Sequence, residues 1–236
     1  MTAFRSALYN LYFVLVTIGY GIVGVGVRVF ARQRALAFAT AWVRALLGGA
    51  RIICGIEIVV TGRENLPDGA ALIASQHQSA FDTLVWLTIV PRPSYVFKAE
   101  LARIPLFGPM LRPAGQIPLD RGAGFATIKS LLRSADQAVL DRRQIIIFPE
   151  GTRVEPGEVV ELRAGVSALS SRTRLPVIPV ATDSGRRWGR RAFTKRAGPI
   201  HIMIGQPIPA GLSQRELIAA IRKSWSGAAI PVEACG

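Results

Sequence analysis

The stretch Ala70-Ala71-Leu72-Ile73-Ala74-Ser75-Gln76-His77-Gln78-Ser79-Ala80-Phe81-Asp82 decides the fold. Ala70–Ser75 is a short, nearly continuous apolar run, and the turn signal Asn65-Leu66-Pro67-Asp68-Gly69 stands just before it. That pattern predicts a buried strand. Thr83–Val90, directly after the stretch, predicts a short helix. A strand, a polar loop and a helix in this order make the repeating unit of an α/β fold, and such loops carry functional groups.

Outward from there the alternation continues. Ile52–Val60, Ser94–Lys98, Gln144–Phe148, Val177–Ala181 and His201–Ile204 predict further strands. Gly124–Asp141, with Ile128, Leu131, Leu132 and Val139 at helical spacing, and Gln214–Trp225 predict helices. The fold class is therefore α/β, a mixed or mostly parallel sheet flanked by helices. No internal repeat or long linker splits it. Two cysteines, Cys54 and Cys235, rule out a disulfide scaffold. A half-hydrophobic composition with only 19% charged residues rules out intrinsic disorder.

The leading residues are different. A net charge of +14 coexists with a mean hydropathy of +0.33, an unusual pairing that suits contact with something both anionic and apolar. A membrane surface has both properties. The first acidic residue is Glu57, and six arginines (Arg5, Arg28, Arg32, Arg34, Arg44, Arg51) precede it. Ser6–Val27 is an uncharged run of 22 residues, long enough as a helix to reach about 33 Å. Three tyrosines and four glycines weaken it as a spanning helix. Ala31–Leu47 is amphipathic, with arginines beside aromatics and leucines, as an interfacial helix requires. Two geometries follow, one true span or a helical hairpin dipping into one leaflet. Both place the main domain in the cytoplasm, because arginine crowds that side. Residues 1–51 are thus expected to be a membrane-association segment and 52–236 the α/β domain.

Chemistry needs a short search, since His77 and His201 are the only histidines. His201 alternates with Ile200 and Ile202 and reads as structural. A tight turn would return the Asp82 carboxylate to the His77 imidazole, fixing its tautomer and leaving the far nitrogen to take a proton from a hydroxyl. The plainer reading is that Ser79 to Asp82 is a helix-capping box, and the two are compatible. Ser79 lies in no complete nucleophile-elbow motif. Phe148-Pro149-Glu150-Gly151-Thr152-Arg153 ends a strand in a glycine, a hydroxyl and a guanidinium, a set that suits a phosphate. Lys98 ends another strand at the same sheet edge. Gly19 to Gly24 matches G-x-G-x-x-G, but no strand precedes it, so it belongs to the apolar segment. The basic run Arg186–Arg196, interleaved with Trp188 and Phe193, reads as a solvated loop suited to anionic headgroups or an acidic carrier protein.

Taken together, His77-x4-Asp82, Lys98-Ala99-Glu100-Leu101 with Ile104-Pro105-Leu106-Phe107-Gly108, Phe148 to Arg153, and Val177-Ile178-Pro179-Val180 resemble the 1-acylglycerol-3-phosphate acyltransferase family. The resemblance covers roughly residues 70 to 182, and Gly115 to Arg121 also looks like the family's strand leading to an Asp-Arg pair. It implies transfer of a fatty acyl group from an acyl-CoA or acyl-carrier-protein thioester to the sn-2 hydroxyl of lysophosphatidate at the cytoplasmic side of the bacterial inner membrane. It further implies His77 as base with Asp82 orienting it. Lys98, Glu150, Gly151, Thr152 and Arg153 would lie at the acceptor phosphate, and Val177, Ile178, Pro179 and Val180 on the acyl-donor side. No cofactor, metal or nucleic acid is expected; membrane lipid is. Gln76 departs from the family's more frequent Asn. Other acceptors, glycerol 3-phosphate or a lyso-aminolipid, remain open, as does a basic non-enzymatic membrane or nucleic-acid binder.

Overall fold

A computed structural model describes residues 1–104, 108–119 and 125–231. Pro105 to Phe107, Asp120, Arg121 and Cys235, singled out in the sequence, lie outside the described residues.

The chain begins with two helices, α1 (Thr2–Phe30) and α2 (Ala35–Gly49). They run antiparallel: Tyr9 donates to the Leu46 carbonyl, Tyr12 to that of Ala45, and the Trp42 indole to Thr17. A π-helical turn, Ala50–Cys54, prolongs α2, and Gly55 stops it at φ +71° in the left-handed region. Ile52 to Cys54, expected in a strand, are therefore helical, and the strand starts at Ile56. Two neighbouring isoleucines fit either state; the glycine decides where the helix ends. Gly19 to Gly24 are continuous helix inside α1.

The α/β part comprises β1 (Ile56–Thr61), β2 (Ala71–Ser75), α3 (Asp82–Ile89), β3 (Pro93–Lys98), α4 (Gly108–Leu111), β4 (Ile117–Leu119) and α5 (Phe125–Leu140). Then come β5 (Gln144–Ile147), α6 (Gly165–Thr173), β6 (Val177–Thr182), α7 (Ser184–Arg187), β7 (Gly198–Ile204) and α8 (Gln214–Ser226). Helix α8 opens with a complete capping box between Ser213 and Glu216. The seven strands form one sheet in the order β1-β7-β6-β2-β5-β3-β4, parallel except for the antiparallel pair β6 and β7.

Both faces are covered, as a mostly parallel sheet requires. Alternate strand residues divide between two cores. Ala71, Ile73, Ile146, Ile178 and Val180 join Tyr9, Val43 and Leu46 of the helical hairpin and Trp86 of α3. Leu72, Ala74, Ile145, Ile147 and Val177 join Leu131 of α5, Leu169 of α6 and Leu217 and Ile221 of α8. The hairpin thus roofs one face of the sheet. Further anchors tie α1 down: Arg5 donates to the Ile53 carbonyl at 2.7 Å, and Gly24 closes on the Phe38 ring and Met110 of α4. The opposite side of α1 exposes Phe4, Leu8, Leu11, Leu15, Ile18, Ile22, Val25 and Val29, an unbroken apolar stripe alternating three and four residues apart. Helices Thr2–Phe30 and Arg32–Cys54 are each long and apolar enough to cross a bilayer.

Candidate active site

Four of the parallel strands present their C-terminal ends at one edge, where open α/β sheets hold ligands. His77 follows β2, Lys98 ends β3, Glu150 to Arg153 follow β5, and Asp183 follows β6. The His77 imidazole Nδ1 lies 3.4 Å from Asp82 Oδ2, and both side chains are largely buried. The same oxygen accepts the backbone N–H groups of Gln78 at 2.7 Å and Ser79 at 2.8 Å. Asp82 therefore closes the turn into α3 and orients the ring with one carboxylate. Ser79, wholly buried, spends its hydroxyl accepting the Phe81 N–H.

The rest of the turn is held from three sides. The His77 ring stacks on Phe148 at 4.1 Å between centroids, and its carbonyl accepts the Val154 N–H at 2.8 Å. Gln76 donates its backbone N–H to Val180 and accepts that of Thr182 through its side chain. The unusual Gln76 amide thus binds β6 rather than facing a ligand. Gln78 accepts the N–H of Gly185 in α7.

One cavity of about 1350 Å³ opens at this edge, larger than the roughly 300–1,000 Å³ of ordinary small-molecule pockets. His77, Lys98, Gly151, Thr152 and Arg153 line it, and so do Thr17, Ile18, Gly21, Phe38 and Trp42 of the hairpin. The cavity is polar at the histidine end and apolar between hairpin and sheet. Lys98 is half-exposed and 3.3 Å from Glu100. Burial, and the neighbouring charges of Arg190 and Arg191, draw the Arg153 guanidinium below its ordinary pKa, while Asp82 offsets part of this.

Two expectations are corrected. Glu150 is not on the cavity wall; it is 5% exposed, and its Oε2 accepts the His77 backbone N–H at 2.7 Å. Its carboxylate holds the backbone of His77. Burial pushes its carboxyl up to about 8 against the pull of that N–H, with the Asp82 charge adding to the rise. Val177, Ile178, Pro179 and Val180 are buried in β6 and are not on the wall of this cavity, because β6 lies inside the sheet between β2 and β7.

The Glu150 shift has a pH signature. With its folded pKa above the ordinary 4.5, the native state holds an extra proton up to about pH 8. Stability from this group therefore falls as pH rises from 4.5 to 8, and levels off above. Glu150→Gln keeps an oxygen for the His77 N–H without the charge and is expected to flatten that slope. Melting temperatures across the window check it; an unchanged slope would assign the effect to another group.

Arg163, Arg190 and Arg191 also line the cavity, though sequence reasoning left them out. The Arg186–Arg196 run is plainly basic, yet nothing local in the sequence says that it folds back over the site. His201 does what its pattern suggested: its backbone N–H and Nδ1 meet Asp183 at 2.7 and 2.9 Å, pinning β7 to the end of β6 away from the cavity wall. Among the described residues, no three His, Cys, Asp or Glu side chains gather to hold a metal ion.

Comparison with known proteins bears on the family and the fold. The family model described as Acyltransferase matches residues 57–183. A 1-acyl-sn-glycerol-3-phosphate acyltransferase of Pseudomonas aeruginosa is 32% identical over 72% of this chain and 66% of its own length. One from Saccharomyces cerevisiae is 26% identical over 78% of this chain and 63% of its own. The chain thus spans just under two thirds of either relative. The crystal structure of the 1-acyl-sn-glycerophosphate acyltransferase PlsC from Thermotoga maritima shares the fold, with a TM-score of 0.76, 24% identity and 94% of both chains covered. With the family's model matched from β1 to the end of β6, over more than half of its residues, the chain belongs to the acyltransferase family.

Proposed function

We propose that this chain moves a fatty acyl group from acyl-CoA or acyl carrier protein to the sn-2 hydroxyl of lysophosphatidate, giving phosphatidate. One observation carries the reading: a single cavity is lined by His77, whose ring is backed by the buried Asp82, by a cluster of guanidinium groups and by an apolar wall. Lysophosphatidate brings a hydroxyl, a phosphate and an acyl chain in the same molecule. The names of the relatives support the same acceptor.

In this reading the His77 Nδ1–H donates a hydrogen bond to the Asp82 carboxylate, which leaves Nε2 as the base. As Nε2 takes the hydroxyl proton, the acceptor oxygen attacks the thioester carbonyl, and Asp82 stabilises the imidazolium. The tetrahedral intermediate collapses, the C–S bond breaks, and the imidazolium returns its proton to the departing thiolate. No covalent acyl-enzyme is needed.

The purified full chain, assayed against lysophosphatidate, glycerol 3-phosphate and a lyso-aminolipid, is expected to show its highest kcat/KM on lysophosphatidate. A higher value on either competitor would replace the acceptor assigned here.

The hairpin would rest in one leaflet on the cytoplasmic face of the bacterial inner membrane. Its support is that α1 lies along the domain, from Arg5 at Ile53 to Gly24 at Met110, with the apolar stripe turned outward. Release of the chain from membranes by high salt or alkaline carbonate would rule out a span.

A further inference from the structure

We propose that Arg190 and Arg191, on the loop after α7, bind the acceptor phosphate together with Arg153, so that headgroup selection is shared with a segment outside the Pro149–Arg153 turn. This deepens the acceptor reading above and rests on it.

Three independent features point there. The first is charge. Arg153, Arg190 and Arg191 line one cavity and act on one another electrostatically. Among the described residues, no carboxylate makes an ion pair with any of them. Asp82 offsets part of the repulsion at Arg153 without pairing with it; like charges gathered in this way repel, and an arriving dianion relieves the rest. A phosphate monoester carries up to two negative charges at neutral pH, since its second pKa is about 6. A phosphodiester headgroup carries one and would gain less.

The second feature is backbone geometry. Arg191 has φ +54°, in the left-handed region that side-chain-bearing residues rarely adopt. Ala192 N–H donating to Gly189 closes the turn around it. Conformations of this kind cluster at ligand sites, where surrounding structure holds them.

The third is the loop's anchoring at both ends. On one side, the Gly185 N–H donates to Gln78, the residue after His77. On the other, Lys195 is 6% exposed and its ammonium donates to Asn10 of α1 and to the carbonyls of Ala192 and Phe193. Its backbone N–H meets the Ser6 hydroxyl at 2.9 Å, and Asn10 donates to the Phe193 carbonyl at 3.1 Å. Trp188 lies beneath, its ring 5.4 Å from the Lys195 ammonium. The two arginines therefore stand between the catalytic turn and α1 on a framed loop. A framed loop has less to lose in entropy when ligand binds.

The test uses the full chain with both arginines replaced, Arg190→Gln with Arg191→Gln. The acceptor KM is expected to rise about 10- to 50-fold, with donor KM within about twofold and kcat within about threefold. Salt should raise the acceptor KM of the wild type more steeply than that of the variant. Arg190→Lys with Arg191→Lys keeps the charge and should recover part of the loss. Arg215→Gln, at an exposed position of α8 away from the cavity, should change none of these values. A rise confined to the donor KM would assign the pair to the donor's phosphates and overturn the proposal, as would unchanged values for both substrates. Calorimetric titration with sn-glycerol 3-phosphate separates this from the acceptor reading, because it needs no turnover. If the wild type binds that probe and the glutamine variant does not, the phosphate site stands even where lysophosphatidate proves a poor substrate. If both bind it equally, the arginine assignment falls while the acceptor reading is untouched.

Discussion

His77→Ala is expected to lower kcat by about 10³- to 10⁴-fold while leaving the fold intact. The size follows from the role: an sn-2 hydroxyl is a poor nucleophile until a base takes its proton, and His201, the other histidine, is engaged with Asp183 away from the cavity wall. The fold should persist because the turn is anchored through groups that the substitution leaves in place. The His77 N–H stays on Glu150, its carbonyl on the Val154 N–H, and Gln76 on β6. The ring itself contributes stacking on Phe148 at the cavity wall. Turnover at saturating substrate, compared at equal melting temperature, is the measurement. A variant that kept a tenth of wild-type kcat would remove His77 from the chemistry.

Asp82→Asn should produce the next largest loss, about 10²- to 10³-fold in kcat with little change in KM. The amide keeps an oxygen for the Gln78 and Ser79 N–H groups, so the turn into α3 survives. What disappears is the negative charge that holds Nδ1 protonated and steadies the imidazolium. Asp82→Ala differs in kind: it also strands two buried N–H groups, at about 1–3 kcal/mol each. The pair of variants separates the two roles that one carboxylate plays. If Asp82→Asn turned over like the wild type, Asp82 would be a helix cap and nothing more.

The parts of this site that were legible in the sequence are those whose geometry is local. His77 and Asp82 are five residues apart across a strand-to-helix turn, so their meeting follows from backbone shape alone. The inner strands of the sheet, buried on both faces, show as apolar runs such as Ala71–Ser75 and Gln144–Ile147. Glu150 was misplaced because sequence adjacency to Arg153 says nothing about which neighbour turns inward; the left-handed Gly151 at φ +71° separates their directions. Val177 to Val180 have a packing role, as β6 pairs with β2 and receives the Gln76 N–H. Arg190 and Arg191 were out of reach for a different reason. Their place on the cavity depends on Lys195 finding Asn10, residues 185 positions apart in the chain.

That long-range clamp makes the N-terminal hairpin unlike a detachable anchor. Tyr9, Val43, Leu46 and Ala50 belong to the same core as Ile73, Val180 and Ile200, and Thr17 and Trp42 form part of the chamber wall. Deleting residues 1–51 to obtain a soluble fragment would unroof the sheet, release the arginine loop and open one side of the chamber. Swapping in an unrelated membrane helix would do the same. For protein engineering, solubility has to come from recolouring the outward stripe, Leu8, Leu11, Leu15 and Ile22, with the cavity-lining face, Ile18 included, left as it is.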